Sequence, residues 1–128
     1  MLIVLGFYKR KPGLSHAEFS RHWRDVHGPL IRNHPVISTY MRRYLQHHLT
    51  PGTGFPGVGA LDYDGFSESW WDSLEARQEA HGLEDFKQLV IEDERQFIDM
   101  DATRILMFDN QNVVIGTDHA AEWMARRG

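Results

Sequence analysis

The stretch from Tyr40 to His48, YMRRYLQHH, places a hydrogen-bonding side chain at every second position. In an extended strand, alternate side chains point to the same face of the sheet. The residues that would share a face are Tyr40, Arg42, Tyr44, Gln46 and His48. A buried row of such groups is costly unless each one meets a hydrogen-bonding partner or a ligand, so the pattern favours a polar pocket. The alternative is a solvated sheet face or a polar dimer interface.

These side chain types suit proton transfer on a small molecule. His48 titrates near neutral pH and can exchange protons with a substrate. Tyr44 can donate a hydrogen bond to a carbonyl or enolate oxygen. Arg42 can bind a carboxylate, although a surface position suits a single arginine equally well.

Two further residues are candidates for the same chemistry. His27 lies at the edge of an apolar helical stripe, where it can act as an acid or base or can cap a bent helix. Glu68 has the same strand parity as Phe66 and Trp70, and a desolvated carboxylate can orient a histidine or act as the base. A bulge at Gly65 would reverse that parity. The predicted catalytic residues are His27, His48, Glu68 and Tyr44. The predicted substrate-binding residues are Tyr8, Tyr40, Arg42, Gln46, Phe66 and Trp70.

Known metal and cofactor motifs are absent from the sequence. No H-E-x-x-H spacing occurs, and His119 with Glu122 offers only two ligands. No P-loop, dinucleotide fingerprint or G-x-S-x-G appears. We therefore predict neither a metal nor a cofactor.

Hydrophobic patterning in the first half of the chain predicts a strand, a helix and a second strand. The apolar run Leu2 to Lys9 predicts a buried strand. Ser15 begins a capping box, and the helix after it carries an apolar stripe of Phe19, Trp23 and Val26 that the sequence HGP at 27–29 should interrupt. The second strand is predicted from Ser38 to Leu49.

The second half repeats the pattern of strand, helix and strand. ALDYDGFSESWW at 60–71 predicts the third strand, a helix should run from Asp72 to Gly82, and a longer helix should bury one side, namely Phe86, Leu89, Val90 and Phe97. Thr103 to Asp109 predicts the fourth strand. VVIG at 113–116 can add an edge strand, and 118–127 can form a terminal helix.

This order of elements predicts an α+β fold of the ferredoxin-like βαββαβ type. Four strands would form an antiparallel sheet with the helices on one face. The other face must be polar or must meet a partner, and two such sheets face to face would form a dimeric α/β barrel.

Length and composition limit the class of protein. A chain of 128 residues forms one domain, and its net charge of −4 argues against a nucleic-acid binder. No apolar run approaches the roughly 18–20 residues that span a bilayer, so no membrane role is predicted. The chain has no cysteine, which excludes disulfides and thiolate chemistry and suits a cytoplasmic protein.

Four blocks of the sequence resemble EthD-domain proteins of the dimeric α/β barrel superfamily. They are KRKPGLSHAEFSRHWRDVHGPL at 9–30, RRYLQHH at 42–48, YDGFSESWWDSLEA at 63–76 and EDERQFIDMDATRILMF at 92–108. The resemblance implies a homodimer and a small-molecule pocket between the sheet and its helices, with His27 at a position that faces the pocket in related barrels. It assigns 1–112 to the domain and leaves 113–128 as a C-terminal extension that packs on the domain or on its dimer partner.

The resemblance also suggests the kind of reaction. Family members are tied to the degradation of ethers and aromatics and to fungal polyketide pathways as decarboxylases or dehydratases, and related barrels include isomerases, cyclases and cofactor-free monooxygenases. We therefore predict a cofactor-independent lyase or isomerase that moves protons on an aromatic, polyketide-like or lactone metabolite. Two alternatives stay open: a non-catalytic binding or auxiliary protein, and a cofactor-free or haem-assisted oxygenase.

Overall fold

Four strands form one antiparallel sheet in the order β2-β3-β1-β4 in the computed structural model, which describes residues 1–52 and 56–118. The strands are β1 (Leu2–Tyr8), β2 (Arg43–His48), β3 (Gly65–Trp71) and β4 (Arg104–Phe108). The helices are α1 (His16–His22), α2 (Gly28–Arg32), α3 (Ile37–Tyr40), α4 (Leu74–Gly82) and α5 (Glu92–Phe97). This arrangement confirms the predicted α+β fold. No helix in the described part of the chain has the length and apolar character needed to cross a bilayer.

The first helical segment contains a π-helical turn, Trp23–His27, between α1 and α2. Its buried residues are spaced by four: Phe19, Trp23, His27 and Ile31. A regular helix rotates such a series by about 40° per step, so three steps would carry the last side chain away from the sheet. The wider π turn offsets this rotation and keeps the series on one face.

The π turn corrects two predictions for this segment. The helix is not interrupted at 27–29, because His27 and Gly28 keep helical backbone angles and Pro29 lies where the π turn passes into α2. Val26 is not part of the buried stripe and is 45% exposed, whereas His27 takes the buried position.

The second long helical segment repeats this design. A π-helical turn, Phe86–Ile91, precedes α5, and Phe86 and Val90 are buried at a spacing of four. The next residue of that series is Glu94, which also faces inward. Leu89, predicted on the buried side, is 42% exposed.

The predicted second strand is too long, because Ile37–Tyr40 forms the short helix α3. The His34 side chain accepts hydrogen bonds from the backbone N–H groups of Val36 and Ile37, and this cap begins the helical turn. The start of α4 also differs from the prediction. Ser73, not Asp72, caps this helix, and its side chain accepts a hydrogen bond from the Ala76 N–H.

Gly65 pairs in register with both neighbouring strands, so the suggested bulge is absent. A Cβ at this position would lie 2.4 Å from the His47 carbonyl oxygen and 2.8 Å from the Trp23 ring. Glycine therefore lets the helix approach the sheet. Residues 113–116 form no strand, and the predicted helix at 118–127 lies almost wholly outside the described residues.

Candidate functional site

A cavity of about 50 Å³ lies between the helices and the side of the sheet that they cover. Residues from all four strands form its floor, and side chains of the helical segments form its roof. Its walls carry many groups that ionise or donate hydrogen bonds, namely Tyr8, His27, Tyr44, Ser67, Arg77, His81 and Glu94. Such a concentration of titratable groups in one buried space is typical of a functional site.

Two tyrosine hydroxyls enter the cavity from the sheet. The Tyr8 hydroxyl accepts a hydrogen bond from Ser67 Oγ at 3.3 Å, and burial, with a smaller effect of Glu94, raises the pKa of Tyr8 well above its ordinary value. Burial likewise raises the pKa of Tyr44 to about 12, against the effect of the Gln46 and Trp23 side chains. Both phenols therefore remain neutral hydrogen-bond donors throughout the physiological pH range.

Glycine leaves space for one of these hydroxyls. Gly6 precedes Tyr8 by two positions on β1, and a Cβ there would lie 2.6 Å from the Tyr8 hydroxyl oxygen and 2.9 Å from Ser67 Oγ. A side chain at position 6 would therefore displace the Tyr8 hydroxyl, and glycine leaves room for it.

Glu94 is the carboxylic acid of the cavity. Burial raises its pKa to about 7, and the adjacent Asp93 charge adds to the effect while Arg95 opposes it. The residue as a whole is only partly buried, and the shift reflects the burial of its carboxyl group. A carboxyl with this pKa exchanges its proton near neutral pH, as a general base or acid must.

Asp93 joins two histidines between the surface and the cavity. Its carboxylate accepts from His27 Nδ1 at 2.8 Å and from His22 Nε2 at 2.9 Å. Burial lowers the pKa of His27 despite the nearby Asp93 carboxylate, so this imidazole is neutral at pH 7. The hydrogen bond to Asp93 places the proton on Nδ1 and leaves Nε2 as an acceptor. His22 is the more exposed member of the set.

Helix α4 adds two residues to the cavity wall. Burial, with a smaller effect of the Arg77 charge, lowers the pKa of His81 to about 4, so this ring is also neutral at pH 7. Arg77 Nε is buried and has no hydrogen-bond partner among the described residues.

A larger cleft of about 780 Å³ adjoins the cavity. Ile31, Met41 and Tyr44 line both spaces and thus form the wall between them. Gln46 and His48 of β2 also line the cleft. The volume is within the range of small-molecule sites in proteins.

Hydrogen bonds hold the polar face of β2 against the first helical segment. Gln46 Nε2 donates to the Trp23 carbonyl oxygen at 2.8 Å. The His48 ring packs against the Trp23 ring at a tilt of 48°, with the ring centroids 4.6 Å apart, and is hydrogen-bonded to Ser20 Oγ and to Gln46 Oε1. Burial lowers the pKa of His48.

The structure brings together half of the residues predicted from the sequence. Tyr8, Tyr44 and His27 line the cavity, and Gln46 and His48 line the adjoining cleft. Arg42 also borders the cleft, but its guanidinium is bound to Asp72 at 2.6 and 3.0 Å.

The other predicted residues lie elsewhere. Phe66, Glu68 and Trp70 are on the opposite face of the sheet, because Ser67 and Ser69 occupy the helix-covered side of β3. Glu68 accepts there from Trp70 Nε1 at 2.7 Å and from His47 Nε2 at 3.3 Å. It therefore does not contact His48, which faces the helices. Tyr40 lies in α3 and packs on the apolar cluster around Trp71.

Sequence reasoning missed Glu94, Arg77 and His81. The series Phe86, Val90, Glu94 carried a signal, since its spacing of four matches that of Phe19, Trp23 and His27. Arg77 and His81 are also four apart on α4, but no apolar stripe marks the face that they share. Among the described residues, no group of three or more histidine or carboxylate side chains is arranged to hold a metal ion.

Comparisons with known proteins place the chain in a family. It is similar in structure to an ethyl tert-butyl ether D (EthD) family protein from Bacillus halodurans C-125, with 21% identity and a TM-score of 0.62 over 87% of this chain and 100% of that one. SnoaB, a cofactor-independent oxygenase from Streptomyces nogalater, matches with 11% identity and a TM-score of 0.59 over 88% and 95% of the two chains.

A dimeric protein of unknown function and ferredoxin-like fold from Bacteroides fragilis NCTC 9343 matches with 9% identity and a TM-score of 0.61 over 85% and 95% of the two chains. Curated proteins provide no match. The EthD domain matches residues 11–101, which is most of the sequence. The chain therefore belongs to the EthD family.

Proposed function

We propose that this protein is a cofactor-independent enzyme that moves a proton on a small organic molecule, in a reaction of the lyase or isomerase type. One observation carries this proposal. Glu94, a carboxylic acid that titrates near pH 7, shares a buried cavity with two phenols that stay neutral. A base with a matched pKa and fixed donors for a developing oxyanion are the two parts that proton abstraction beside a carbonyl requires.

Each group has a distinct role in this reaction. The Glu94 carboxylate removes a proton from a carbon next to a carbonyl group. Tyr8 and Tyr44 donate hydrogen bonds to the enolate oxygen that forms, and their high pKa values keep both protons in place. The protonated Glu94 carboxyl then returns the proton to another atom of the substrate or to a leaving group. His27, held by Asp93, lies in the same cavity as a neutral partner for this transfer.

The two spaces divide the substrate between them. The cavity of about 50 Å³ has room for the reacting end of a substrate, whereas the cleft of about 780 Å³ can hold an aromatic, polyketide-like or lactone body. Tyr44 belongs to both walls and lies where the reacting carbonyl would pass from one space into the other.

Proton exchange tests the proposal without knowledge of the final product. We expect the protein to accelerate exchange of the acidic C–H of at least one β-keto acid, phenolic ketone or lactone for deuterium in D₂O, followed by NMR. The rate should rise with pH to a plateau, with a midpoint near 7, because only the deprotonated Glu94 accepts a proton. Buffer without protein is the control. A compound that binds in the site but exchanges at the buffer rate at every pH would contradict the proposal.

A cofactor-free oxygenase is the second candidate, and the similarity to SnoaB favours it. Neutral phenols beside a base can also hold a substrate anion that reacts with oxygen. Oxygen uptake separates the two readings, since proton transfer alone consumes none. A non-catalytic binding protein would take up ligand with neither exchange nor oxygen uptake.

We also propose that the protein is a homodimer that pairs through the face of the sheet opposite the helices. Apolar side chains dominate this face, including Leu5, Phe7, Leu45, Phe66 and Leu106. An antiparallel sheet buries such a face against a partner, and the protein from Bacteroides fragilis with a similar fold is dimeric.

Substitution of one apolar residue on this face should separate the subunits. Leu106 is 57% exposed and lies across from Leu5, so Leu106→Glu places a charge within the apolar face. We expect a dimer for the unchanged protein and a monomer for the variant in light scattering after size exclusion. Leu89→Glu, at a leucine 42% exposed on the helical side, should remain dimeric. A monomeric unchanged protein would overturn this proposal.

A further inference from the structure

We propose that the substrate carries a carboxylate, and that the guanidinium of Arg77 binds it in the cavity. This inference rests on the proposed function and names the substrate class of the same site. Arg42, the carboxylate anchor predicted from the sequence, already holds Asp72 and is not available for this role.

Arg77 is a partly buried cation that has no counter-charge among the described residues. It lines the cavity from helix α4, and its Nε has no hydrogen-bond partner among the described residues. No ion pair joins Arg77 to an acidic group in this part of the chain. A guanidinium that is partly removed from water and has an unpaired buried Nε is costly unless an anion meets it. The Arg77 side chain is thus arranged for a negative ligand that the described residues do not supply.

Glu94 is not that counter-charge. A guanidinium in contact with the carboxyl would lower its pKa, whereas the pKa of Glu94 is raised, and the cation that acts on it is Arg95. The groups that sense the Arg77 charge are the Tyr8 phenol, which stays neutral, and the His81 ring. Arg77 and Glu94 therefore have separate tasks: one binds an anion and the other exchanges a proton.

The adjoining cleft adds an independent argument. Its walls contain four arginines, Arg24, Arg32, Arg42 and Arg43, but a single carboxylate, Asp25. Asp25 binds Arg24, and Arg43 stacks over Trp70 at 5.2 Å. Arg32 has no ion pair among the described residues. The whole chain carries a net charge of −4, so a cationic cleft is a local feature that attracts anions toward the cavity.

A carboxylate fits this position better than a larger anion. The guanidinium fork binds two coplanar oxygens with paired hydrogen bonds, and a cavity of about 50 Å³ has room for a planar three-atom group. The bound group would lie beside the Tyr8 phenol that Arg77 approaches. A carboxylate near the oxygen that Tyr8 and Tyr44 would contact is the arrangement found in β-keto acids, where that oxygen is a carbonyl, and in aryl acids with an ortho hydroxyl, where it is a phenol.

Thermal shift with matched ligand pairs tests this inference. The probes are a panel of aromatic and β-keto carboxylates, salicylate and benzoylacetate among them, each with its neutral amide. We expect at least one acid to raise the melting temperature of the unchanged protein by about 3 °C or more, and its amide to do so much less. Arg77→Gln should lose the preference for the acid, and Arg77→Lys should retain part of it. Arg21→Gln, at an exposed arginine, should respond like the unchanged protein.

The outcomes separate this inference from the proposed function. A panel in which no acid stabilises the protein more than its amide, or an Arg77→Gln variant that keeps the preference, would overturn the role of Arg77. Exchange of a neutral amide as fast as that of its matched acid in the unchanged protein would overturn it too, yet would leave the proton-transfer proposal intact. Acid binding that depends on Arg77 without any exchange would support the inference and refute the proposed function.

Discussion

Replacing Glu94 by glutamine should lower the turnover of the bound substrate by about 10²–10⁴-fold, with little change in substrate affinity. Glutamine has the shape of the acid but cannot accept a proton in the reaction. The residual activity should lose its rise near pH 7, because the group that causes this rise is absent. Rates of proton exchange or product formation between pH 5 and 9 would measure both effects.

The same substitution should make the protein more stable in alkaline solution. The pKa of Glu94 in the folded state, about 7, lies above the ordinary value of 4.5 that applies to the unfolded chain. Ionisation therefore favours unfolding as the pH rises from 4.5 to 7, and the full cost persists above 7. Glutamine removes this cost, so we expect a gain of about 2–3 kcal/mol in the free energy of unfolding at pH 8 and almost none at pH 4.5.

Glu92→Gln is the matched control for both measurements. Glu92 lies on the same helix, but its side chain is exposed and pairs with Arg95 only on the surface. It should leave turnover unchanged and alter stability by less than about 0.5 kcal/mol. Full activity in Glu94→Gln, or a loss of stability at pH 8, would refute the assignment of Glu94 as the base.

Replacing Gly65 by alanine should lower the free energy of unfolding by about 3 kcal/mol. The added Cβ would lie 2.4 Å from a backbone oxygen of β2 and 2.8 Å from the buried ring of Trp23. Neither atom can move easily, because one belongs to the strand pairing and the other to the core. The helix that carries His27 would have to withdraw from the sheet, so the cavity should also change shape. Unfolding in urea, monitored by tryptophan fluorescence, measures the change.

Gly59→Ala provides the comparison for this effect. No atom lies within 4 Å of a Cβ built at Gly59, and its backbone conformation is one that alanine accepts. Its stability should differ from that of the unchanged protein by less than about 1 kcal/mol. Equal midpoints for the two variants would show that the helix does not depend on Gly65 for its approach to the sheet.

Local signals of short range were sufficient to predict much of the fold. The capping box of Ser15 and Glu18 is present with both hydrogen bonds, at 3.0 and 3.1 Å. The alternation along β2 correctly placed Tyr44, Gln46 and His48 on one face. Tyr40 was predicted on that face as well, and the error arose because the imidazole of His34 caps a helical turn that no propensity would reveal.

The site was harder to predict than the fold, because its key groups are charged residues within charged surroundings. Glu94 belongs to the sequence EDERQ, which has the composition of a solvated helix face. Only the rotation of the helix after its π turn directs this one carboxyl inward. Glu68, by contrast, was predicted in the site and lies outside it. Its parity with Trp70 was read correctly, but parity alone does not say which face of a sheet the helices cover.

The two π turns have a consequence for how relatives of this protein are aligned. Such a turn amounts to one residue inserted into a regular helix, and loss of that residue would rotate everything beyond it by about 100°. Consider a homologue that is one residue shorter between Trp23 and Ile31, or between Phe86 and Glu94. At each position of an alignment beyond the deletion, its side chain would point in a different direction from that of this protein. An alignment that closes the gap by similarity alone would then equate His27 or Glu94 with residues on the outer surface. Residues of two homologues should therefore be matched by counting hydrogen-bonded turns from the buried Trp23 and Phe86, so that residues lining the cavity are paired with each other.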